Sequence, residues 1–198
     1  MAEKKLLTLN KQIATCGVLL ILGVAITCLF QTRPLFSEWM VGIALWQQSV
    51  VALGFGALAM IGAEIAFRIT YFRRVMVLPP AMQNIDLSGS APLVISLAAG
   101  VSEEILFRAA LQPLIGIWFA SAVFAVAHLR TASVAGSPLK KVIYLANVFV
   151  VGLALGLVFQ RIGLLTVILV HAIIDFVALR SMRRLQLLNR TAHVNQAP

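Results

Sequence analysis

The residues best suited to chemistry in this sequence are ionisable side chains that lie inside long apolar stretches. Four of the seven acidic residues and two of the three histidines do so, namely Glu64, Glu103, Glu104, Asp175, His128 and His171. A charged side chain at the centre of a bilayer costs about 2.5–3.5 kcal/mol on insertion scales, so ionisable residues inside a membrane usually have a function. The sequence therefore predicts a polar site inside an apolar bundle.

The two adjacent glutamates are expected to have different neighbours. Glu104 and Arg108 are four residues apart, so on a helix they lie on nearly the same face and can pair. Glu103 points about 100° away from Glu104 on a helix and is free to face a cavity. Glu64 has Arg68 four residues later near a membrane edge, which favours a structural role for that pair.

The two histidines share helical faces with other site candidates. His171 precedes Asp175 by four residues, and Phe124 precedes His128 by the same spacing. Glu103, His128 and the His171–Asp175 pair fall in three different apolar stretches. We expect them to converge in one pocket in the middle-to-cytoplasmic half of the membrane.

The combination of a carboxylate with two histidines leaves two kinds of hydrolytic chemistry open. The sequence contains no GxSxG or HExxH motif, and Asp175 has no second aspartate in a motif of the GxGD type. One option is a divalent metal such as zinc, bound by Glu103, His128 and His171. The other uses no cofactor: a buried glutamate acts as general base on water, while a histidine or Asp175 stabilises the oxyanion.

The elements that position these residues are predicted to be transmembrane helices. The 198-residue chain is 61% hydrophobic and 12% charged, whereas soluble domains are about 45–50% apolar and about 25% charged. A helix needs about 20 apolar residues to cross a bilayer, and its backbone groups must be paired internally. We predict an all-α integral membrane protein with six spans, at residues 12–30, 45–67, 92–112, 114–129, 142–160 and 163–179.

The fourth span is short, and we expect it to begin inside a re-entrant turn after Pro113. We divide the chain into an N-terminal two-helix region with its loop, a four-helix catalytic core and a basic tail, at residues 1–91, 92–179 and 180–198. The tail is expected to be frayed.

The net charge of +9 is explained by topology rather than by nucleic-acid binding. Basic residues cluster in alternate connections, while the intervening connections hold only Arg33 and Arg161. This positive-inside pattern predicts that both termini are cytoplasmic, and the basic loops suit contact with anionic headgroups. The clustered residues are Lys4, Lys5, Lys11, Arg68, Arg73, Arg74, Arg130, Lys140, Lys141, Arg180, Arg183, Arg184 and Arg190.

Three short motifs occur in order along the second half of the chain: EEILFR (E-E-x-x-x-R), FAVAH (F-x-x-x-H) and HAIID (H-x-x-x-D). Together they resemble the CPBP family, the CAAX-protease and bacteriocin-processing group also called Abi. This family includes the type II CAAX prenyl protease. The resemblance covers about residues 92–179, the four-helix catalytic core of the family.

The resemblance implies an intramembrane endopeptidase that cuts a membrane-associated peptide or protein near the cytoplasmic face of a bacterial inner membrane. Glu103 would be the base on the hydrolytic water with help from His128, and Glu104 and Arg108 would be a supporting pair. His171 and Asp175 would form the oxyanion side, although an ionised Asp cannot donate a hydrogen bond.

Two alternatives remain open from the sequence. The first is a metal-dependent version of the protease. The second is a non-catalytic scaffold or bacteriocin-immunity protein that binds a peptide in the same pocket. The substrate and the oligomeric state are not specified.

Overall fold

The computed structural model describes residues 9–32, 43–68, 85–129 and 137–194. The regular structure in these ranges is helical, as predicted. The basic positions 4, 5, 33, 73, 74 and 130 lie outside them. The helices are α1 (Leu9–Phe30), α2 (Leu45–Arg68), α3 (Ala91–Glu104), a π-helical segment (Ile105–Leu111), α4 (Gln112–Ala127), α5 (Pro138–Ile162) and α6 (Leu164–Val194).

The described helices are apolar outside and polar inside, which is the arrangement expected in lipid. Large apolar side chains such as Ile21 and Phe119 are exposed, while Glu104 and Arg108 are fully buried. Five stretches are long and apolar enough to cross a bilayer: Leu9–Phe30, Leu45–Gly62, Ala91–Ala127, Lys141–Ile162 and Leu164–Leu188. The prediction of an all-α membrane protein is confirmed, while the count of six spans stays a prediction.

The stretch Ala91–Ala127 contains the third and fourth predicted spans, and the chain reverses inside it. Gly116 has φ 78° and ψ 164°, which interrupts the helix. The rings of Phe107 and Phe124 are 5.1 Å apart, whereas in one straight helix these residues would be about 25 Å apart. The reversal therefore lies at Gly116, three residues beyond the predicted position at Pro113. The helix after it is about 17 Å long, which is shorter than the hydrocarbon core of about 30 Å.

The bundle packs the motif-bearing helices against one another through small residues. α3 packs against α6, and a Cβ added at Gly100 would lie 2.9 Å from the carbonyl oxygen of Ile168. α4 packs against α5, where a Cβ on Gly152 would lie 3.2 Å from Ser121 Cβ. Small residues allow helix backbones to approach closely in membranes, and here the close approaches bring the polar faces together.

The last helix is longer than predicted. The sequence predicted a span that ends at residue 179 and then frays, but α6 continues to Val194. No glycine or proline interrupts residues 180–194, and Met182 packs against the cluster that leads into α3. The Arg184 Nη1 atom also donates to Glu64 Oε2 at 3.1 Å. The prediction of fraying is therefore wrong for residues 180–194, which are helical, and the contacts of Met182 and Arg184 hold the first part of this segment.

Candidate active site

Glu103 and His128 face each other across the hairpin of α3 and α4. Glu103 Oε2 and His128 Nε2 are 4.0 Å apart, and the side chains are 17% and 25% exposed. Glu103 Oε2 is buried and has no hydrogen-bond partner among the described residues. A separation of 4.0 Å is too long for a direct hydrogen bond.

The backbone sets the orientation of the His128 ring. His128 Nδ1 lies 2.8 Å from the carbonyl oxygen of Phe124, and a carbonyl only accepts, so Nδ1 carries the proton of this bond. In the neutral ring, Nε2 is then the acceptor and points toward Glu103. The four-residue spacing in FAVAH is thus the spacing of this side-chain-to-backbone bond.

Glu104 is fully buried and has two charged or polar partners. Its Oε2 accepts from Arg108 Nε at 3.2 Å, which is the pairing predicted from the sequence. Its Oε1 lies 2.5 Å from His171 Nδ1 on α6, a contact that was not predicted. The second glutamate of the motif therefore connects α3 to α6 in addition to neutralising the arginine.

His171 lies between two carboxyl groups. His171 Nε2 is 3.6 Å from Asp175 Oδ2, while its Nδ1 faces Glu104. The His171 side chain is 6% exposed and that of Asp175 is 36% exposed. The predicted pair on α6 therefore forms the outer end of a row of side chains that runs from buried Arg108 to accessible Asp175.

Phe124 is the aromatic centre of the candidate site. Its ring centroid is 4.7 Å from that of His128 and 6.0 Å from that of His171. The guanidinium carbon of Arg108 lies 5.2 Å from the same ring, within cation–π range. Phe124 is 2% exposed, so it separates the two histidine-carboxyl pairs with an apolar wall.

The motif EEILFR crosses from an α-helix into a π-helix, although the sequence predicted a regular helix. Ile105–Leu111 is π-helical, and the Gln112 backbone N–H donates to the carbonyl oxygen of Phe107, five residues earlier. π-helical turns are rare and frequently occur at functional sites. Arg108 lies within this wider turn and still reaches Glu104.

Three residues near the site were not recognised from the sequence. Tyr144 of α5 lies within electrostatic range of Glu103 and Asp175. Cys16 of α1 lies beside Ser102. Gln31, after α1, donates to two carbonyls of the π-helical segment. None of these residues has a spacing relation to the motifs, so only tertiary structure reveals them.

The alternative metal-ligand set of Glu103, His128 and His171 fits this geometry poorly. Both ring nitrogens of His171 face carboxyl oxygens, so neither points toward the Glu103–His128 gap. Among the residues that the structure describes, no three His, Cys, Asp or Glu side chains form a group that could hold a metal ion. The predicted absence of a cofactor stays a prediction.

The described helices and their buried ionisable residues define a multi-pass membrane protein. Residues 85–177 match the family model of the type II CAAX prenyl endopeptidase Rce1-like proteins. The matched residues hold all three motifs, and the predicted resemblance to the CAAX protease family is confirmed. No curated protein and no solved structure matches the chain significantly. This match supports intramembrane CAAX-type protease activity in general.

Proposed function

We propose that this protein is an intramembrane endopeptidase in which Glu103 activates a water molecule for attack on a peptide bond. The observation that carries the proposal is the 4.0 Å gap between Glu103 Oε2 and His128 Nε2. Both atoms are acceptors when the carboxylate is ionised and the ring is neutral, so one water that lies to the side of the pair, about 2.8 Å from each atom, donates to both. Its oxygen lone pair then points away from them toward a substrate carbonyl.

The proton of the attacking water has a defined route in this mechanism. Glu103 takes the proton as the water oxygen bonds to the carbonyl carbon, and it returns that proton to the leaving amine when the C–N bond breaks. His128 accepts the second hydrogen bond of the water and keeps it oriented. General acid–base catalysis of this kind contributes about 10²–10⁴-fold to a rate.

The oxyanion is stabilised by the His171–Asp175 end of the row. Glu104 holds His171 Nδ1, so His171 Nε2 is the ring nitrogen that can donate to substrate. Asp175 Oδ2 lies 3.6 Å from it, and a protonated Asp175 is a second donor beside it, which an ionised aspartate is not. The developing negative charge on the carbonyl oxygen receives these hydrogen bonds.

Glu104 and Arg108 are assigned a supporting role. Arg108 is fully buried and holds one oxygen of Glu104, while the other oxygen holds His171. Arg108, Glu104 and His171 alternate in sign when His171 is protonated at both nitrogens. Each buried charge then has a neighbour of opposite sign, which lowers the cost of burying it.

The substrate class proposed is a peptide or protein segment at the membrane surface. Asp175 is partly exposed, and the next residue, Phe176, borders a surface pocket of about 300 Å³. Arg180 and Arg183 line the same pocket. These arginines mark the end of the bundle at which we place the cytoplasm, by the positive-inside rule. A bacterial inner membrane with both termini cytoplasmic remains the proposed location.

A cleavage assay tests the proposal against the scaffold alternative. Purified protein in lipid is incubated with membrane-anchored peptides, and products are identified by mass spectrometry for wild type, Glu103→Ala and His128→Ala. We expect peptides to bind all three proteins and to be cleaved by wild type alone. Equal cleavage by all three would remove the mechanism, and binding without any cleavage by wild type would establish the scaffold instead.

A further inference from the structure

Helix α1 packs along the segment that carries the EEILFR motif, although α1 lies outside the family match at residues 85–177. The contact is closest at Gly23, where an added Cβ would lie 2.9 Å from Leu106 Cα and 3.0 Å from Leu106 N. These are backbone atoms that cannot rotate away. The absence of a side chain at position 23 therefore lets α1 reach the π-helical backbone.

A second contact lies at the end of α1. Gln31 Nε2 donates to the carbonyl oxygen of Ala109 at 2.7 Å and to that of Ala110 at 2.8 Å. One side-chain amide thus supplies both of its hydrogens to consecutive carbonyls of the π-helical segment. The two hydrogen bonds restrain the turn in which they end, because they hold two consecutive carbonyls at one side chain.

A proline follows this turn in the sequence. In a regular α-helix the carbonyl of Ala109 would accept from the backbone N–H of residue 113, four positions on. That residue is Pro113, which has no N–H. Gln31 Nε2 donates to this carbonyl, so a side chain supplies a donor where the α-helical register offers none.

The restrained turn controls the buried row of the candidate active site. Arg108 lies between Leu106, which contacts Gly23, and Ala109, which accepts from Gln31. Arg108 holds Glu104, and Glu104 holds His171. A shift in the π-helical turn therefore moves Arg108 first and the His171 ring through it.

We propose that Gln31 is a positioning residue, which together with Gly23 fixes the π-helical segment and thereby the Arg108–Glu104–His171 row. The inference rests on the proposed proteolytic function for its effect on rate, but its structural half stands without it. It makes α1 part of the catalytic unit, although the family match begins after this helix.

The test compares Gln31→Met, which conserves volume and removes the donor, with Thr15→Val as a matched control on α1. The Thr15 hydroxyl is exposed and bonds only to its own helix, at the Lys11 carbonyl.

Two readouts are taken on the full chain in lipid: amide hydrogen exchange of peptides that span residues 105–116, and kcat and KM for a cleaved peptide. We expect Gln31→Met to exchange faster in that segment and to lose about 10²-fold in kcat with little change in KM, the size of effect that a misplacement of about 1 Å produces. Thr15→Val should match wild type.

Each outcome decides the matter. Unchanged exchange in Gln31→Met would overturn the restraint, and faster exchange with an unchanged kcat would overturn the positioning role. Gln31→Lys keeps N–H donors on a chain of similar length, so it should restore both readouts; equal behaviour of the Met and Lys variants would contradict a hydrogen-bonding role. If Gln31→Met does not fold, the Lys variant and Gly23→Ala give the same two readouts. For Gly23→Ala the control is Gly17→Ala, since a Cβ at Gly17 meets nothing within 4 Å.

Failure of the proposed function is distinguishable from failure of this inference. If wild type cleaves no peptide, the proteolytic mechanism fails, while the exchange measurement still reports whether Gln31 restrains residues 105–116. If wild type cleaves and exchange is unaffected in every α1 variant, the mechanism stands and the inference is wrong.

Discussion

Glu104 Oε1 lies 2.5 Å from His171 Nδ1, so one carboxylate of the motif connects α3 to α6 in the interior of the bundle. Both side chains are buried, and the other oxygen of Glu104 is held by Arg108. This contact gives the adjacent glutamates separate tasks. Glu104 organises the interior, and Glu103 is left to face the gap beside His128.

Replacing Glu104 with Gln should destabilise the protein strongly. The substitution leaves the fully buried Arg108 without a counter-charge, and breaking a buried ion pair from one side costs about 3–5 kcal/mol. Reversible unfolding in mixed micelles measures the change. Glu64→Gln is the matched control because its ion pairs with Arg68 and Arg184 are both exposed and such pairs contribute little. A loss no larger than that of the control would contradict the role of Glu104.

Asp175 is expected to act through a hydrogen-bond donor rather than through its charge. Asp175→Asn keeps a donor next to His171 and should retain most of the activity. Asp175→Leu should reduce kcat by about 10²–10³-fold, the usual effect of losing one oxyanion donor. Steady-state cleavage of one peptide compares the two. If Asp175→Asn is as inactive as the Leu variant, the charge of the carboxylate is what matters.

Gly100 is predicted to set the spacing between α3 and α6. A methyl group there would lie 2.9 Å from the Ile168 carbonyl and 3.0 Å from Ala172 Cβ, and overpacking of this kind costs about 1–3 kcal/mol. Gly100→Ala should therefore lower both stability and kcat, because separating the helices lengthens the Glu104–His171 contact. Gly62→Ala, with nothing within 4 Å, should change neither. Thermal unfolding and a cleavage rate check both statements.

Removal of divalent metals should leave proteolysis unchanged if Glu103 acts directly on water. His171 already directs both ring nitrogens toward carboxyl oxygens, which leaves the proposed metal set incomplete. The measurement is a cleavage rate before and after chelation, with elemental analysis of the purified protein. Loss of activity on chelation that is restored by zinc would favour the metal-dependent alternative.

Local spacing predicted the parts of the site that lie on one helix. Glu104–Arg108 and His171–Asp175 are four residues apart and do pair, because helix geometry alone brings such residues together. The all-α membrane fold was likewise predicted from length and hydropathy, since a bilayer permits few other structures.

Contacts between helices could not be predicted from the sequence in the same way. The Glu104–His171 pair and the Gln31 bonds depend on which helices pack and at what rotation, and no spacing along the chain encodes that. The π-helical turn at 105–111 was missed for a related reason: its residues are ordinary helix formers, and the hydrogen bonds that restrain it come from Gln31, which is distant in sequence. Tertiary contacts, including that of Arg184 with Glu64, also extended α6 beyond its predicted end.

The central claim is that Glu103 activates the water, and the isosteric variant Glu103→Gln tests it most directly. The amide keeps the shape of the side chain but cannot take a proton, so kcat should fall by about 10²–10⁴-fold while peptide affinity and unfolding stay close to wild type. The measurement is kcat for one cleaved peptide, with Glu64→Gln as a control for loss of a membrane-edge carboxylate. A Glu103→Gln protein that cleaves within a few-fold of wild type would contradict the account.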